Sequence, residues 1–380
     1  MKYFLIAGEA SGDLHASHLM KSLKAIDPKA EFDFLGGNLM AQAAGKMPII
    51  HYRDMAYMGF VEVAKHLRSI LGFMDTAKRA IDRIQPDAVI LVDYPSFNLK
   101  IAKYAHKHGI KVHYFISPKV WVWKEWRVKD IKKYVDHMHC ILPFEVDFYK
   151  KHNYDATYVG NPTVGEINEA IGKMTSTQEF KRLNGLDPDK EIIAVVPGSR
   201  IKEINDNLPT MLAAAARHND YQAVIAAAPS TDPNLYYQWL DRLGSQALLV
   251  ENQTWALVHH SRAALVTSGT ATLETAMLGT PQVACYRMNG SKWIYKFYRC
   301  LLKGKYVTLP NLITDEPVIP ELLLHQCTED TIHSHLSALL ADSPERKAML
   351  DGYHRMSSRL GTNDCCDTAA RLILSDIANN

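Results

Sequence analysis

No run of about 18 uninterrupted apolar residues occurs in the 380-residue chain, which excludes a membrane-spanning helix. Cysteine is scarce: six residues, with no CxxC pair and no regular spacing, indicate neither a zinc site nor a disulfide framework. Cys365 and Cys366 are adjacent, an arrangement unsuited to a structural disulfide. The thiols read as reduced, as in a cytosolic protein. Charge of one sign is lacking too, since 43 Lys and Arg against 41 Asp and Glu leave +2. A dedicated nucleic-acid binder is not expected from that balance. GxGxxG and GxSxG are both absent, which weakens the case for a dinucleotide oxidoreductase and for a serine hydrolase. The opening apolar run, 2–7, is too short for a signal peptide and no cleavage pattern follows it. A cytosolic location is expected, unless the chain lies on a membrane surface.

What is present is an α/β pattern. Short Val-, Ile- and Phe-rich runs recur at 3–7, 32–35, 88–93, 111–116, 138–142 and 156–159, then at 192–196, 223–227, 247–250, 263–267 and 282–286. Segments 69–84, 97–108 and 208–218 between them have helical length and periodicity. Nearly continuous apolar strands alternating with helices predict parallel sheets covered on both faces. The length suggests two domains. Gly160-Asn161-Pro162 closes the first series, and a new strand starts after the turn at 184–188. The expected architecture is two Rossmann-like doubly wound domains facing a cleft. Their bounds are 1–170 and 185–350, with 351–380 as C-terminal helices packing back on an N-terminal domain or exchanged in a dimer. Ligands belong at the carboxyl ends of the strands.

Three strand ends carry unusual residues. Gly8-Glu9-Ala10-Ser11-Gly12-Asp13 turns from the first strand into a helix expected to begin near Asp13. Its small residues admit a ligand close to the backbone, and the helix start supplies free N–H donors. An ordinary turn with Ser11 or Asp13 as N-cap is the plainer alternative. Asp93-Tyr94-Pro95-Ser96-Phe97-Asn98 closes a buried strand, so Asp93 must find a partner or face a cleft. Partial desolvation there would raise its basicity and suit it to general-base work, whereas a helix cap is the alternative. In the second half, Pro197-Gly198-Ser199-Arg200 ends one strand with Glu203 just beyond, and Ser268-Gly269-Thr270-Ala271-Thr272-Leu273-Glu274 ends another. Residues 268–270 would offer N–H and hydroxyl donors at a helix start, Arg200 a fixed cationic fork for a diphosphate, and Glu274 an acceptor for ribose hydroxyls. Such a phosphate site requires no metal. Asp187-Pro188-Asp189 spells DxD but falls in a proline turn, and His106, His108, His259 and His260 lack partners at ligand spacing. No metal and no cofactor are expected.

Basic and aromatic residues interleave in three places. Residues 56–74 form an amphipathic pattern whose exposed charges are mostly basic. In 291–305, Lys292, Lys296, Arg299 and Lys303 would make a cationic stripe beside Trp293, Phe297 and Leu301. Trp121, Trp123 and Trp126 alternate with Lys119, Lys124, Arg127 and Lys129. An anionic membrane surface suits these patterns better than nucleic acid.

The motifs together resemble the lipid-A-disaccharide synthases along essentially the whole chain. The matching segments are GEASGD at 8–13, MGFVEV at 58–63, DYPSFN at 93–98, SPKVWVW at 117–123, LPFE at 142–145 and VGNP at 159–162. They continue with PGSR at 197–200, SGTATLE at 268–274, YRM at 286–288 and YVTLPNL at 306–312. The resemblance implies a GT-B fold and an inverting transfer of 2,3-diacylglucosamine from UDP to 2,3-diacylglucosamine 1-phosphate, giving the β-1,6-linked disaccharide 1-phosphate and UDP. It places the base and the acceptor in the first domain, where Asp93 is the expected catalytic base and Glu9, Ser11, Asp13 and Asn98 are expected on the acceptor. Ser199, Arg200, Glu203, Ser268, Gly269, Thr270, Thr272, Glu274, Arg287 and Asn311 would hold the UDP-sugar. Peripheral membrane contact and a C-terminally swapped homodimer are implied as well. Some members carry a second aspartate where this chain has Ser96, which moves the base assignment here to Asp93. The competing readings are another GT-B UDP-sugar enzyme, namely a peptidoglycan glycolipid transferase or a UDP-sugar epimerase, or a sugar-nucleotide binding protein without catalysis.

Overall fold

All strands pair in parallel, in two separate sheets. The structure is a computed structural model describing residues 1–55, 67–122, 124–287 and 305–378. The segment 56–66, Trp123 and the stripe at 288–304 lie outside the described residues, and with them most of two of the three basic–aromatic patterns.

The first sheet contains β1 (Lys2–Ala7), β2 (Glu31–Gly36), β3 (Ile50–His51), β4 (Ala88–Val92), β5 (Lys111–Phe115), β6 (His137–Cys140) and β7 (Ala156–Tyr158). Their order is β3-β2-β1-β4-β5-β6-β7. Alternate residues serve opposite faces. Phe4, Ile6, Val89 and Leu91 enter one apolar cluster, whereas Tyr3, Leu5, Ala88 and Ile90 enter the other. Both faces being covered is why these strands read as unbroken apolar runs. The second sheet contains β8 (Glu191–Val196), β9 (Tyr221–Ala227), β10 (Leu248–Glu251), β11 (Ala263–Thr267), β12 (Gln282–Tyr286) and β13 (Glu321–Leu323). Its order is β10-β9-β8-β11-β12-β13. Among the described residues only the short edge strands β3 and β13 escaped the sequence reading, because two or three residues carry no periodicity.

The chain divides into Met1–Pro162 with Thr362–Asn380, and Thr163–Gly361. This corrects the expected bounds at both ends. Helix Pro162–Lys173 goes with the second unit, where Ile167 packs into the cluster of Ile192 and Ala194. Helix Pro344–Leu360 also stays there: the Tyr353 hydroxyl donates to the Thr280 carbonyl, and Gly352 lies so close to Val318 that a Cβ would meet it at 2.5 Å. The C-terminal segment therefore splits at Gly361 rather than moving as one piece from 351. Helix Cys365–Ala378 returns to the first unit, burying Cys365, Cys366, Ala369, Ala370 and Ile373 against Ala16, Leu19 and Leu23 of helix Ala10–Ile26. At its far end, Asp376 meets His137 at 3.1 Å and the buried His113 at 3.4 Å.

Helix bounds also shifted. The first helix begins at Ala10 rather than near Asp13. Another spans Ile201–Ala215 and accommodates Pro209 inside it, where the sequence suggested a start at 208.

Candidate active site

In each unit most of the sequence-selected residues, Arg287 and Asn311 excepted, belong to segments that leave the sheet where the strand order reverses. The first sheet reverses between β1 and β4, with Ala7 opposite Val92, so Gly8 and Asp93 leave the sheet side by side. The second reverses between β8 and β11, with Val196 opposite Val266, so residues 197–200 and 267–270 leave it together. Crevices at the carboxyl ends of such switch points are where open α/β sheets bind ligands.

At the first switch point two consecutive non-glycine residues, Asp93 (φ 42°) and Tyr94 (φ 49°), take the left-handed conformation. Such backbone is held only when its surroundings enforce it. Here Asn98, fully buried, donates from Nδ2 to the carbonyls of Val92 (3.2 Å) and Asp93 (2.7 Å). The Tyr114 hydroxyl donates to the same Asp93 carbonyl. Asn98 is thus a clamp on the turn rather than the acceptor contact expected of it, because it is buried and its Nδ2 donors are spent on two main-chain oxygens. Gly8 completes the fit: a Cβ there would lie 2.3 Å from the Tyr94 ring. The Asp93 carboxyl is pushed up to about 6, first by burial and then by the Glu9 carboxylate, with Lys119 and the Tyr94 amide pulling the other way. A carboxylate so placed is ionised at neutral pH yet more basic than usual, as a proton acceptor should be.

The acceptor candidates from the turn 8–13 separate. Glu9 and Ser11 are exposed, and the Ser11 hydroxyl donates to Glu9 Oε1 at 2.8 Å. Asp13 is a correction: it is buried and its carboxylate accepts the N–H groups of Gly37 (2.7 Å), Leu39 (3.1 Å) and Met40 (3.2 Å). It caps the neighbouring helix Asn38–Ala44, whose own N-cap, Gly37, has no side chain to do so.

Sequence reasoning did not single out Glu145, although its LPFE segment is part of the resemblance. It is fully buried at the start of helix Pro143–Lys151, accepting from Trp121 Nε1 (3.2 Å) and the Leu142 N–H (3.3 Å). Burial pushes its carboxyl up to about 8, so it carries a proton at neutral pH. The pattern Leu-Pro-x-Glu signals a helix start but says nothing of depth.

At the second switch point Gly198 turns the chain with φ 108°, packed 2.8 Å (from its would-be Cβ) against Glu203. Glu203 is another correction. Its carboxylate accepts the Ser199 and Arg200 N–H groups at 3.3 and 3.4 Å, the amides an anion would otherwise take, and meets Arg200 Nη1 at 3.2 Å. The helix start is closed by its own capping box. Ser199 stands exposed, and the Arg200 side chain is 83% exposed and directed outward, as a ligand-seeking cation should be. Ser268, Gly269 and Thr270 lie at the open start of helix Thr270–Met277. Thr272, by contrast, is fully buried and its hydroxyl returns to the Gly269 carbonyl at 2.8 Å, so it shapes the turn and offers nothing outward.

Glu274, mostly buried and pushed up by that burial, accepts the Trp255 indole N–H at 2.8 Å. Trp255 also lines a hollow of about 600 Å³ with Met174, Phe180, Pro229 and Gln253. Arg287 ends β12, its N–H on Asn207 Oδ1 (2.7 Å) and its guanidinium on the Thr210 hydroxyl. Asn311 is a further correction: buried, it exchanges two hydrogen bonds of 2.9 Å with the Ile319 main chain and reaches Glu321 at 3.0 Å. It ties helix Leu309–Thr314 to the segment that leads into β13. It borders a hollow of about 740 Å³ at the amino end of β13, and that hollow includes none of Arg200, residues 268–270 or Glu274.

As for metals, Asp187 and Asp189 are exposed in a turn closed by the Asp189 N–H on Asp187 Oδ1. Among the described residues one group of three closely spaced potential ligands occurs, Asp364, Cys365 and Cys366, where Asp364 already caps the final helix.

With this geometry, comparison with known proteins is decisive. The family model for lipid-A-disaccharide synthetase matches residues 3–373. The chain belongs to that family. Lipid-A-disaccharide synthase of Acidobacterium capsulatum is 37% identical over 94% of this chain and 92% of its own length. That of Myxococcus xanthus is 36% identical over 98% and 97%. In fold the chain is similar to UDP-GlcNAc 2-epimerase from Neisseria meningitidis bound to UDP-GlcNAc (TM-score 0.63, 12% identity, all of both chains). It is similar also to the calicheamicin glycosyltransferase CalG4 (TM-score 0.59, 16% identity, 99% and 98% of the chains). Two Rossmann-like units of the GT-B class are thus common to the synthase family, to epimerases and to other glycosyltransferases.

Proposed function

We propose that the chain is the glycosyltransferase that joins UDP-2,3-diacylglucosamine to 2,3-diacylglucosamine 1-phosphate, releasing UDP. The observation that carries the mechanism is Asp93, strained in its backbone, clamped by Asn98 and Tyr114, and pushed up to about 6 at the first switch point. Asp93 takes the proton from the acceptor 6-hydroxyl as that oxygen attacks the anomeric carbon in line, inverting it. Glu9 and Ser11 at the same rim bind the acceptor sugar. The leaving diphosphate is stabilised by Arg200 and by the helix start at 268–270, with Ser199 and Arg287 alongside. Glu274, oriented by Trp255, accepts from the ribose hydroxyls. The charge compensation comes from Arg200 and backbone donors, so the reaction is expected to continue in the presence of a chelator.

Epimerases share the fold, yet they need no base directed at a second substrate, and the family relationship favours transfer. Among the described residues no helix is long and apolar enough to cross a membrane. Contact with the inner-membrane surface fits Trp126, 63% exposed, beside Arg127 and Lys129, and a swapped homodimer would use helix Cys365–Ala378. Incubating the protein with both substrates and weighing the lipid product by mass spectrometry tests the reaction. UDP release independent of the acceptor, or no disaccharide phosphate, would refute it.

A further inference from the structure

We propose that Arg127, docked on Ser96 and accompanied by Lys119, forms a phosphate-monoester subsite that reads the phosphate of the lipid acceptor beside Asp93. The inference rests on the transferase reading above and deepens it. Arg127 Nη2 donates to the Ser96 hydroxyl at 2.9 Å. Ser96 lies in the first turn of helix Pro95–Lys107, three residues past Asp93. The charge of Arg127 reaches the Tyr114 hydroxyl, the group that donates to the Asp93 carbonyl. One end of the cation is therefore tied to the element that carries the base.

Among the described residues no carboxylate is ion-paired with it. Neither Arg127 nor Lys119 forms an ion pair there, and Glu125, on the same short helix Glu125–Arg127, is engaged by His152 at 3.2 Å. Lys124 is held below the ordinary lysine range by desolvation and then by the Arg127 charge, the mark of cations crowded together. Lys119 is exposed, and its charge is felt by both Asp93 and Glu145. Arg127 and Lys124 repel one another, which a bound anion would relieve. The guanidinium is also pre-placed, with Trp126 5.7 Å from it, ring centroid to Cζ, and Ser96 on one side. With one N–H used on Ser96, the remaining donors of the planar fork can bind two phosphate oxygens. Ser96 matters for what it lacks: an aspartate there would cancel Arg127, whereas a hydroxyl orients it and leaves the charge for the ligand.

The same chemistry would accept an anionic phospholipid headgroup, so the test separates the sources. Transfer is measured in neutral detergent, without phospholipid, using the phosphorylated acceptor and the same acceptor without phosphate. Arg127→Ala should raise KM for the phosphorylated acceptor roughly ten- to a hundredfold, while the donor KM and the activity on the phosphate-free acceptor stay as in the native enzyme. Arg127→Lys should recover part of the loss, and Ser96→Asp should reproduce it with Arg127 intact. Equal losses on both acceptors would overturn the proposal, as would an unchanged detergent assay with weaker binding to phosphatidylglycerol vesicles. Calorimetric titration with soluble glucosamine 1-phosphate supplies an arm independent of turnover: binding lost in Arg127→Ala supports the subsite, and binding unaffected refutes it. Should the native protein transfer to neither acceptor, the transferase reading would fail while that titration still decided this one.

Discussion

Asp93→Asn should inactivate the enzyme and stabilise the fold at once. Asparagine tolerates the left-handed backbone at φ 42° and keeps an oxygen for the Tyr94 N–H, so it stands in for the protonated carboxyl. Raising the carboxyl from 3.8 to about 6 means that ionised Asp93 costs the native state about 3 kcal/mol at 1.36 kcal/mol per pH unit. The sign follows from proton linkage: the folded state binds the proton more tightly than the unfolded state. Native stability therefore falls as pH rises from about 4 to 6, and the full cost is present above about pH 7. Roughly half of it is present at pH 5. The variant escapes this cost, so its melting temperature should exceed the native one by about 6–12 °C at pH 8, and by about half that at pH 5. Melting curves at the two pH values, with UDP release measured in parallel, check both halves. A gain equal at pH 5 and 8, or no gain, would show that Asp93 is not held ionised against burial. Near-native turnover in the folded variant would remove Asp93 as the base. In the native enzyme kcat/KM should fall as pH drops through about 6, where Asp93 takes up its proton.

Arg200→Ala should leave stability nearly unchanged, because the side chain is 83% exposed, while kcat/KM drops by a factor equivalent to about 2–4 kcal/mol of transition-state stabilisation. An intact rate would show that the diphosphate is held elsewhere. Gly8→Ala drives a Cβ into the Tyr94 ring at 2.3 Å, so the Asp93–Tyr94 turn must move; about 1–3 kcal/mol of stability and most of the activity should be lost together, read by melting and UDP release. Asp13→Ala should lower stability by about 1–3 kcal/mol, since three N–H groups lose their acceptor, and a variant as stable as the native chain in urea titration would refute the capping role.

The strands that cross both cores were legible in the sequence because burial on two faces leaves an unbroken apolar run, and eleven of the thirteen among the described residues were anticipated. The strand-end residues were legible too, since a carboxylate or arginine at the end of such a run has few structural excuses. Asp93 and Arg200 both stand at switch points. What such reading could not separate was a polar residue facing a ligand from one facing the protein's own amides. Asp13, Asn98, Glu203, Thr272 and Asn311 share segments with the candidate ligands, yet each is spent on main-chain groups. Their partners lie one turn away in some cases and more than twenty residues away in others. Only the tertiary structure fixes which amide comes within 3 Å. Depth follows the same rule: Glu145 has the sequence of a surface helix start and the protonation of a core group, because it is buried beneath groups such as Trp121, more than twenty residues away in the chain. The return of helix Cys365–Ala378 to the first unit is likewise a tertiary decision, since its apolar face fits whichever surface has a groove of matching shape, and helix Ala10–Ile26 provides it. The sequence alone determined the family, the paired parallel sheets and the residue types at the strand ends. Which of those residues remain free for chemistry was settled by the packing, because hydrogen-bond satisfaction depends on neighbours in space.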